Sequence, residues 1–332
     1  MRKRNTGRSG DNAVESNLTA PRGRPKTKKN LSPRGDNEKR NLSVDNACAG
    51  KHTVAMNKLS TEKRAQVLRC LVEGNSIRAT SRLTDVAINS VIKLLIDAGK
   101  ACSEFQDKTL RNLPCKRVQC DEIWSFVGCK EKNVPEDQKR KGRGDAWTWT
   151  AIDAQTKLVP CWYIGNRDAE AAYHFMHDLA SRLASRVQLT TDAHRPYLQA
   201  VEDAFGAEID YAQLVKIYGS GDASQYNPDV RYSPAICMGA RKAKISGQPV
   251  YEHVSTSISE RQNLNIRMGN RRFTRLTNAF SKKLENLEHQ VALYFMHYNF
   301  CRIHTSLRVT PAMEAGVADH VWSMEEVVAL LD

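Results

Sequence analysis

From residue 117 onward the apolar pattern changes period repeatedly, and the order of those changes restricts the chain to a layered α/β fold. Residues 118–127 read as a strand, an apolar and aromatic run interrupted by the adjacent pair Asp121 and Glu122. Two more strands are predicted at 147–152 and 157–164, joined by Asp153-Ala154-Gln155-Thr156, so the first three strands form an antiparallel meander. A helix over 168–186 sets Ala172, Phe175, Met176, Leu179 and Leu183 on one face. A short strand at 187–191 ends at Asp192, and helix 197–205 and strand 209–217 complete the order β-β-β-α-β-α-β. Residues 218–254, rich in Gly, Ser, Asn and Pro, read as an insertion or loop. Helix resumes at 257–268, stops at Gly269-Asn270, and returns over 281–299. This α/β domain is expected to span 115–320.

A different texture precedes it. Residues 57–100 predict three short helices. Ser60 caps the first, with Val67, Leu68, Leu71 and Val72 as its stripe and Gly74 as its stop. Ser76 starts the second, and a third runs through Asn89 to Leu95 and ends near Gly99. Three helices with tight turns match a helix-turn-helix module over 56–105, with Ala87 before the third helix where a Ser or Thr cap is more usual. Ile88, Asn89, Ser90 and Lys93 would then face DNA. A small helical packing element is the plainer alternative.

Residues 1–55 hold 13 Lys and Arg against 5 Asp and Glu, and few large apolar side chains. Such a segment buries too little surface to offset the entropy of ordering it, so a disordered basic tail is expected. Within it, Pro21-Arg22-Gly23-Arg24-Pro25-Lys26 resembles an AT-hook, whose Arg22 and Arg24 would enter a narrow minor groove. Met56 opens the first foldable segment, which marks the tail as a candidate upstream extension. The whole chain of 332 residues carries a net charge of +13, which favours a polyanionic partner. Nine cysteines without a C-x-x-C pair argue against a disulfide framework and against zinc. No apolar run is long enough to span a bilayer and no secretory leader is visible. The expectation is a cytoplasmic protein at the bacterial nucleoid, with no membrane partner.

Three acids stand out from the 37 present by their settings. Asp121 lies in an apolar strand, where an uncompensated charge is costly. Asp192 ends a central strand, and Glu260 falls near the start of a helix that can reach across to both. Carboxylates gathered from separate elements are what two hard cations need in phosphodiester chemistry, so the three are candidate catalytic and metal-binding groups for Mg²⁺ or Mn²⁺. Glu122, predicted on the opposite strand face, and Asn263 are secondary candidates. Asp153 is explained by its hairpin turn. Arg267 follows Glu260 by two helical turns, about 10.5 Å along the axis, placed to grip a neighbouring phosphate. Arg267, Arg271, Arg272, Arg275, Lys282 and Lys283, with Phe273 among them, read as a DNA-backbone surface. His297, Tyr298, Asn299, Arg302 and His304 are better explained as a packed helix end, and Trp124, Trp147, Trp149 and Trp162 as sheet packing.

Several motifs in order carry a resemblance. Asp121-Glu122-Ile123-Trp124, Thr191-Asp192-Ala193-His194-Arg195-Pro196-Tyr197 and Ser259-Glu260-Arg261-Gln262-Asn263-Leu264-Asn265-Ile266-Arg267 resemble transposases of the insertion-sequence-one family. Residues 271–283 and Tyr298-Asn299-Phe300-Cys301-Arg302-Ile303-His304 extend the likeness, which covers about 57–320. It implies a ribonuclease H-like fold, a DDE triad of Asp121, Asp192 and Glu260, two Mg²⁺ ions, and DNA partners in the form of element ends and target. It also implies a homo-oligomer on DNA. The sequence departs from the family in lacking an N-terminal zinc module and in carrying Ala193 where glycine is common. It also has 68 positions from Asp192 to Glu260, which indicates an inserted subdomain. Two rivals share the features: a transposon-derived DNA-binding regulator without catalysis, and a structure-selective nuclease.

Overall fold

The computed structural model describes residues 58–138, 142–218 and 237–332. The basic tail with Arg22 and Arg24 lies outside the described residues, as do much of the loop at 139–143 and the first half of the 218–254 stretch.

Three helices open the described chain: α1 (Thr61–Val72), α2 (Ile77–Thr84) and α3 (Ile88–Thr109). Ser60 accepts the Lys63 N–H at 3.3 Å and Ser76 the Ala79 N–H at 3.1 Å, so both predicted caps are made. Asp85 turns the chain between α2 and α3 with a φ of +52°, a left-handed conformation that a short polar side chain tolerates. Helix α3 does not end at Gly99 but runs 22 residues. The glycine serves packing instead: a Cβ there would fall 2.4 Å from His289 Cβ and 2.5 Å from its Cα. The later helix α7 (Leu284–Met296) crosses α3 at this point, and only a hydrogen on Gly99 lets the two backbones approach so closely.

The sheet has six strands, β1 (Arg117–Val127), β2 (Gly144–Asp153), β3 (Trp162–Gly165), β4 (Val187–Asp192), β5 (Ile209–Tyr218) and β6 (Cys237–Ser246). Their order is β3-β2-β1-β4-β5-β6. The β1–β2 and β2–β3 pairs are antiparallel, the expected meander, while β4 lies parallel to β1 and β5 parallel to β4 through the crossover helices α4 (Ala169–Arg182) and α5 (Pro196–Phe205). Strand β3 is shorter than predicted, because the chain from Lys157 to Cys161 runs irregularly over the core before it joins the ladder. The stretch read as a loop is partly ordered as β6, which pairs antiparallel with β5 at the sheet edge. Its polar and basic residues carry no apolar alternation, since most of that strand is exposed on both faces.

The two sheet faces bury different partners. Val118, Cys120, Trp149 and Leu189 pack with α4, α5 and the α1–α3 helices in one continuous core. Ile123, Val127 and Ile152 pack on the other side against α7 and α6 (Ser257–Gly269). The predicted last helix ends at Met296 and widens into a π-helical turn over His297–Cys301. Asn299 there is buried and bonded to both the N–H and the carbonyl of Val159, the packed helix end expected of this cluster. Two short helices follow, α8 (Pro311–Glu314) and α9 (Met324–Ala329), and α9 returns to α1 through an Arg69–Glu325 ion pair of 2.6 Å.

Candidate active site

Strand β1 carries two acids side by side, and alternation sends them to opposite faces of the sheet. Asp121 faces α6, whereas Glu122 faces Tyr197 of α5. In the parallel β1–β4 ladder Gln119 stands opposite Thr190, so Asp121 and Asp192, each two residues further on, come level as the pairing ends. There Asp121, Glu122 and Asp192 each offer one oxygen, and the three oxygens lie within 4.8 Å of one another. Glu122, the secondary candidate expected on the opposite strand face, reaches this cluster from that face. Its backbone does direct it to the far face, but Asp192 sits at a strand terminus, where it meets side chains from both faces.

The cluster is electrostatically strained. Burial, then the charge of Asp192, pushes the Asp121 carboxyl up to about 6, even though the Glu122 N–H donates to its Oδ1 at 2.8 Å. Glu122 is almost wholly buried, and burial followed by Asp192 pushes it up to about 7. Arg167 opposes this. Its Nε lies 3.1 Å from Glu122 Oε2 and its Nη2 3.5 Å from Asp192 Oδ2, while its guanidinium rests 5.0 Å from the Trp147 ring centre. The Tyr197 hydroxyl faces Glu122 without reaching hydrogen-bond geometry, which leaves buried Glu122 Oε1 with no donor. Asp192 is steadied by the His194 N–H, which donates to Oδ1 at 2.9 Å.

Helix α6 brings in the third predicted acid. Gln119 Oε1, on the same strand face as Asp121, accepts the N–H groups of Ile258 at 2.9 Å and Ser259 at 3.1 Å. A β1 side chain thus caps α6 and fixes its first turn over the sheet. Asn263 Nδ2 donates to Asp121 Oδ2 at 2.9 Å, so this secondary candidate touches the cluster directly. Glu260, one turn earlier, contributes to the raised Asp121 carboxyl and is therefore within electrostatic reach. Its own oxygen, however, pairs with Lys216 Nζ at 2.6 Å and accepts the Thr256 hydroxyl. Glu260 stands at the side of the three-oxygen cluster, not within it.

The predicted basic residues follow α6 outward. Arg267 is partly buried and held below its ordinary value by burial and by Arg275, with Asp121 acting in the opposite sense. Arg271 and Arg272 occupy a tight turn that ends at buried Phe273, and Arg275 is exposed beyond it. On α3, Asn89 and Ser90 are exposed, and Lys93 pairs with Asp97 at 2.7 Å. Sequence reasoning missed Gln119, Arg167, Tyr197 and Lys216. Only Gln119 left a signal, as a polar residue two positions before Asp121 in an apolar strand.

Oxygen-only donors, one of them a buried carboxylate oxygen without a partner, suit a hard divalent cation, and this acidic cluster can bind one. Among the described residues, no helix is long and apolar enough to cross a membrane. No protein-family model matches the sequence, and no curated protein does. Among solved structures, the chain is similar to the cryo-EM structure of the piggyBac transposase synaptic complex with hairpin DNA, at 12% identity and a TM-score of 0.32. That match covers 66% of this chain and 52% of the other, so the chain spans about half the length of the transposase it matches. It is also similar to the crystal structure of the Mos1 strand transfer complex, at 11% identity and a TM-score of 0.22, over 77% of this chain and 80% of that one. Superpositions this loose leave the functional reading to the side chains themselves.

Proposed function

We propose that this protein is a DNA transposase that cleaves and joins strands with divalent cations held on a ribonuclease H-like sheet. The observation that carries the reading is the meeting of Asp121, Glu122 and Asp192 at the ends of β1 and β4, with α6 laid across them. In this proposal Asp121 and Asp192 hold the cations, Glu260 completes the set on release from Lys216, and Glu122 is held in reserve by Arg167. Bound cations, two by this reading, supply an activated oxygen nucleophile and stabilise the leaving oxygen. The chain supplies the rest. Asn263 fixes the rotamer of Asp121, Gln119 fixes the height of Glu260 above the sheet, and Arg267, Arg271, Arg272 and Arg275 line the way along which a DNA strand would lie. Exposed Asn89 and Ser90 on α3 belong to the proposed recognition helix for element ends. The resemblance of the sequence motifs to those of insertion-sequence-one transposases supports the same assignment.

Incubation of the purified protein with element-end DNA and Mg²⁺ is expected to give nicked and joined products. Asp121→Asn should lower their formation by at least ~100-fold, since removing a charge-stabilising group at a transition state typically has that effect. Full activity in that variant would refute the assignment. A second reading, a DNA-binding regulator without catalysis, draws on one observation: Asp192 and Glu260 already have cations of the chain beside them. DNA binding with no product under Mg²⁺ or Mn²⁺ would decide for it.

A further inference from the structure

A cleft of about 650 Å³ opens between the α1–α2 turn with the first half of α3 and the segment from Arg271 to Gln290, at the far end of α6 from the acidic cluster. Glu260 and Gly269, the last residue of α6, are nine residues apart, about 13.5 Å at helical rise, and Arg272 lies beyond that end. The lining is unusual in its charge. Arg78, Arg271, Arg272 and Lys282 contribute four cations, and no carboxylate lines the cleft among the described residues. The two exposed cations, Arg78 and Lys282, and the half-buried Arg272 have no ion-pair partner among those residues; Arg272 makes one long contact of 3.5 Å to the Ala279 carbonyl. Their mutual repulsion is felt. After burial, the charges of Arg143, Arg272 and Arg78 hold the Lys282 ammonium below its ordinary value.

Part of the lining is apolar. Ile77, Ile88, Ile92 and Leu71 form it, and Ile88 keeps 43% of its surface exposed at the mouth. Among the lining residues, Asn286 has a buried side-chain oxygen that no donor of the protein satisfies. A cavity of this size lies within the range of roughly 300–1,000 Å³ that takes small ligands, and it is too narrow for a duplex. Apolar walls, an amide and cations without carboxylate partners match the base face, the base edge and the phosphate of a nucleotide, with the Lys282 ammonium also resting 3.3 Å from the Phe280 ring centre.

We propose that this cleft is a nucleotide subsite separate from the acidic cluster, which takes one unpaired nucleotide of a DNA strand. Its phosphate lies among Arg78, Arg272 and Lys282, its base lies on Ile77, Ile88 and Ile92, and Asn286 accepts from the base edge. The inference rests on the transposase reading for its choice of DNA. It adds that a strand leaving the acidic cluster along α6 is gripped where it is single-stranded.

The test uses the full chain in EDTA and fluorescence anisotropy at fixed salt. The probes are a hairpin duplex with a five-nucleotide 3′ extension, the same hairpin blunt-ended, and extensions with an abasic unit at each position in turn. The extension is expected to tighten binding at least tenfold, and one abasic position should remove most of that gain. Arg78→Glu and Lys282→Glu, both on exposed side chains, should each bring the ratio of extended to blunt affinity towards one. Equal affinity for both probes in the wild type, or an unchanged ratio in both variants, would overturn the proposal. So would competition by inorganic phosphate as effective as competition by the extended probe, because the cleft would then be a simple anion site. The readout needs no divalent ion, so an absence of strand transfer leaves this ratio intact. Conversely, strand transfer by a protein whose ratio is one would remove the subsite and spare the function.

Discussion

Asp121 is asked to be two things, a buried side chain in a strand and an ionised ligand, and the tension between them is measurable. Its carboxyl is pushed from 3.8 to about 6, by burial first and the Asp192 charge second. For an acid with a raised folded value, stability is fully present below the unfolded value and is lost as pH rises through the folded one. Ionised Asp121 should therefore destabilise the metal-free protein by on the order of 1–3 kcal/mol above about pH 6. Half-buried His297, lowered to about 4 by burial and then by Arg302, works in the opposite sense between pH 4 and 6.5, so the informative quantity is a difference between proteins. In EDTA, Asp121→Asn should melt several degrees above the wild type at pH 8 and close to it at pH 4.5. Addition of Mg²⁺ should raise the wild type at pH 8 and leave the variant unmoved. A variant that melts lower at pH 8 would show that Asp121 is stabilised by its neighbours and not strained by them. The site was legible at this scale through Asp121 and Asp192, because a lone charge in an apolar strand and an acid at a strand end are local patterns. The parts played by Glu122 and Arg167 were not, since each depends on which side chains meet around a strand terminus.

At the scale of elements, two close contacts fix the helices, one between α3 and α7 and one between α6 and the sheet. Alanine normally favours a helix interior over glycine by up to about 1 kcal/mol, so Gly99→Ala in α3 should stabilise if propensity ruled. The new methyl would instead meet the backbone of α7 at 2.5 Å from His289 Cα and 2.7 Å from its carbonyl oxygen. Overpacking of this kind costs about 1–3 kcal/mol, so a lowered melting temperature is expected. His289→Ala should not rescue it, because the clash is with backbone. The second contact is the Gln119 cap on α6. Gln119→Ala leaves the N–H groups of Ile258 and Ser259 unbonded, which should cost about 1 kcal/mol and reduce strand transfer more than DNA affinity. Equal losses in both would mean that Gln119 supports the fold without positioning Glu260. Most of these elements could be read from period and caps, as Ser60, Ser76 and the alternation around Asp121 illustrate. The exceptions have physical reasons. Gly99 looks like a helix stop until a partner helix is known, and β6 lacks alternation because neither of its faces is buried.

For the molecule as a whole, the two proposed DNA surfaces make different kinds of contact, and salt separates them. Arg267, Arg271, Arg272 and Arg275 extend from the acidic cluster along α6 and its following turn, a position suited to phosphates. Each phosphate neutralised releases counterions, so the logarithm of the binding constant should fall linearly with the logarithm of salt, by about 0.9 per contact. Replacing exposed Arg275 and half-buried Arg271 together by Ala should shrink that slope by about two on any DNA sequence. Asn89 and Ser90 are neutral and exposed on α3, and any base contacts they make release no counterions. Asn89→Ala should thus leave the slope unchanged and reduce the preference for element ends over random duplex. Titrations from 50 to 300 mM salt on both kinds of DNA measure the two effects at once. If the arginine pair alters sequence preference and Asn89 alters the slope, the surfaces have been assigned the wrong way round. The strand would then have to enter over the α1–α3 helices and not along α6.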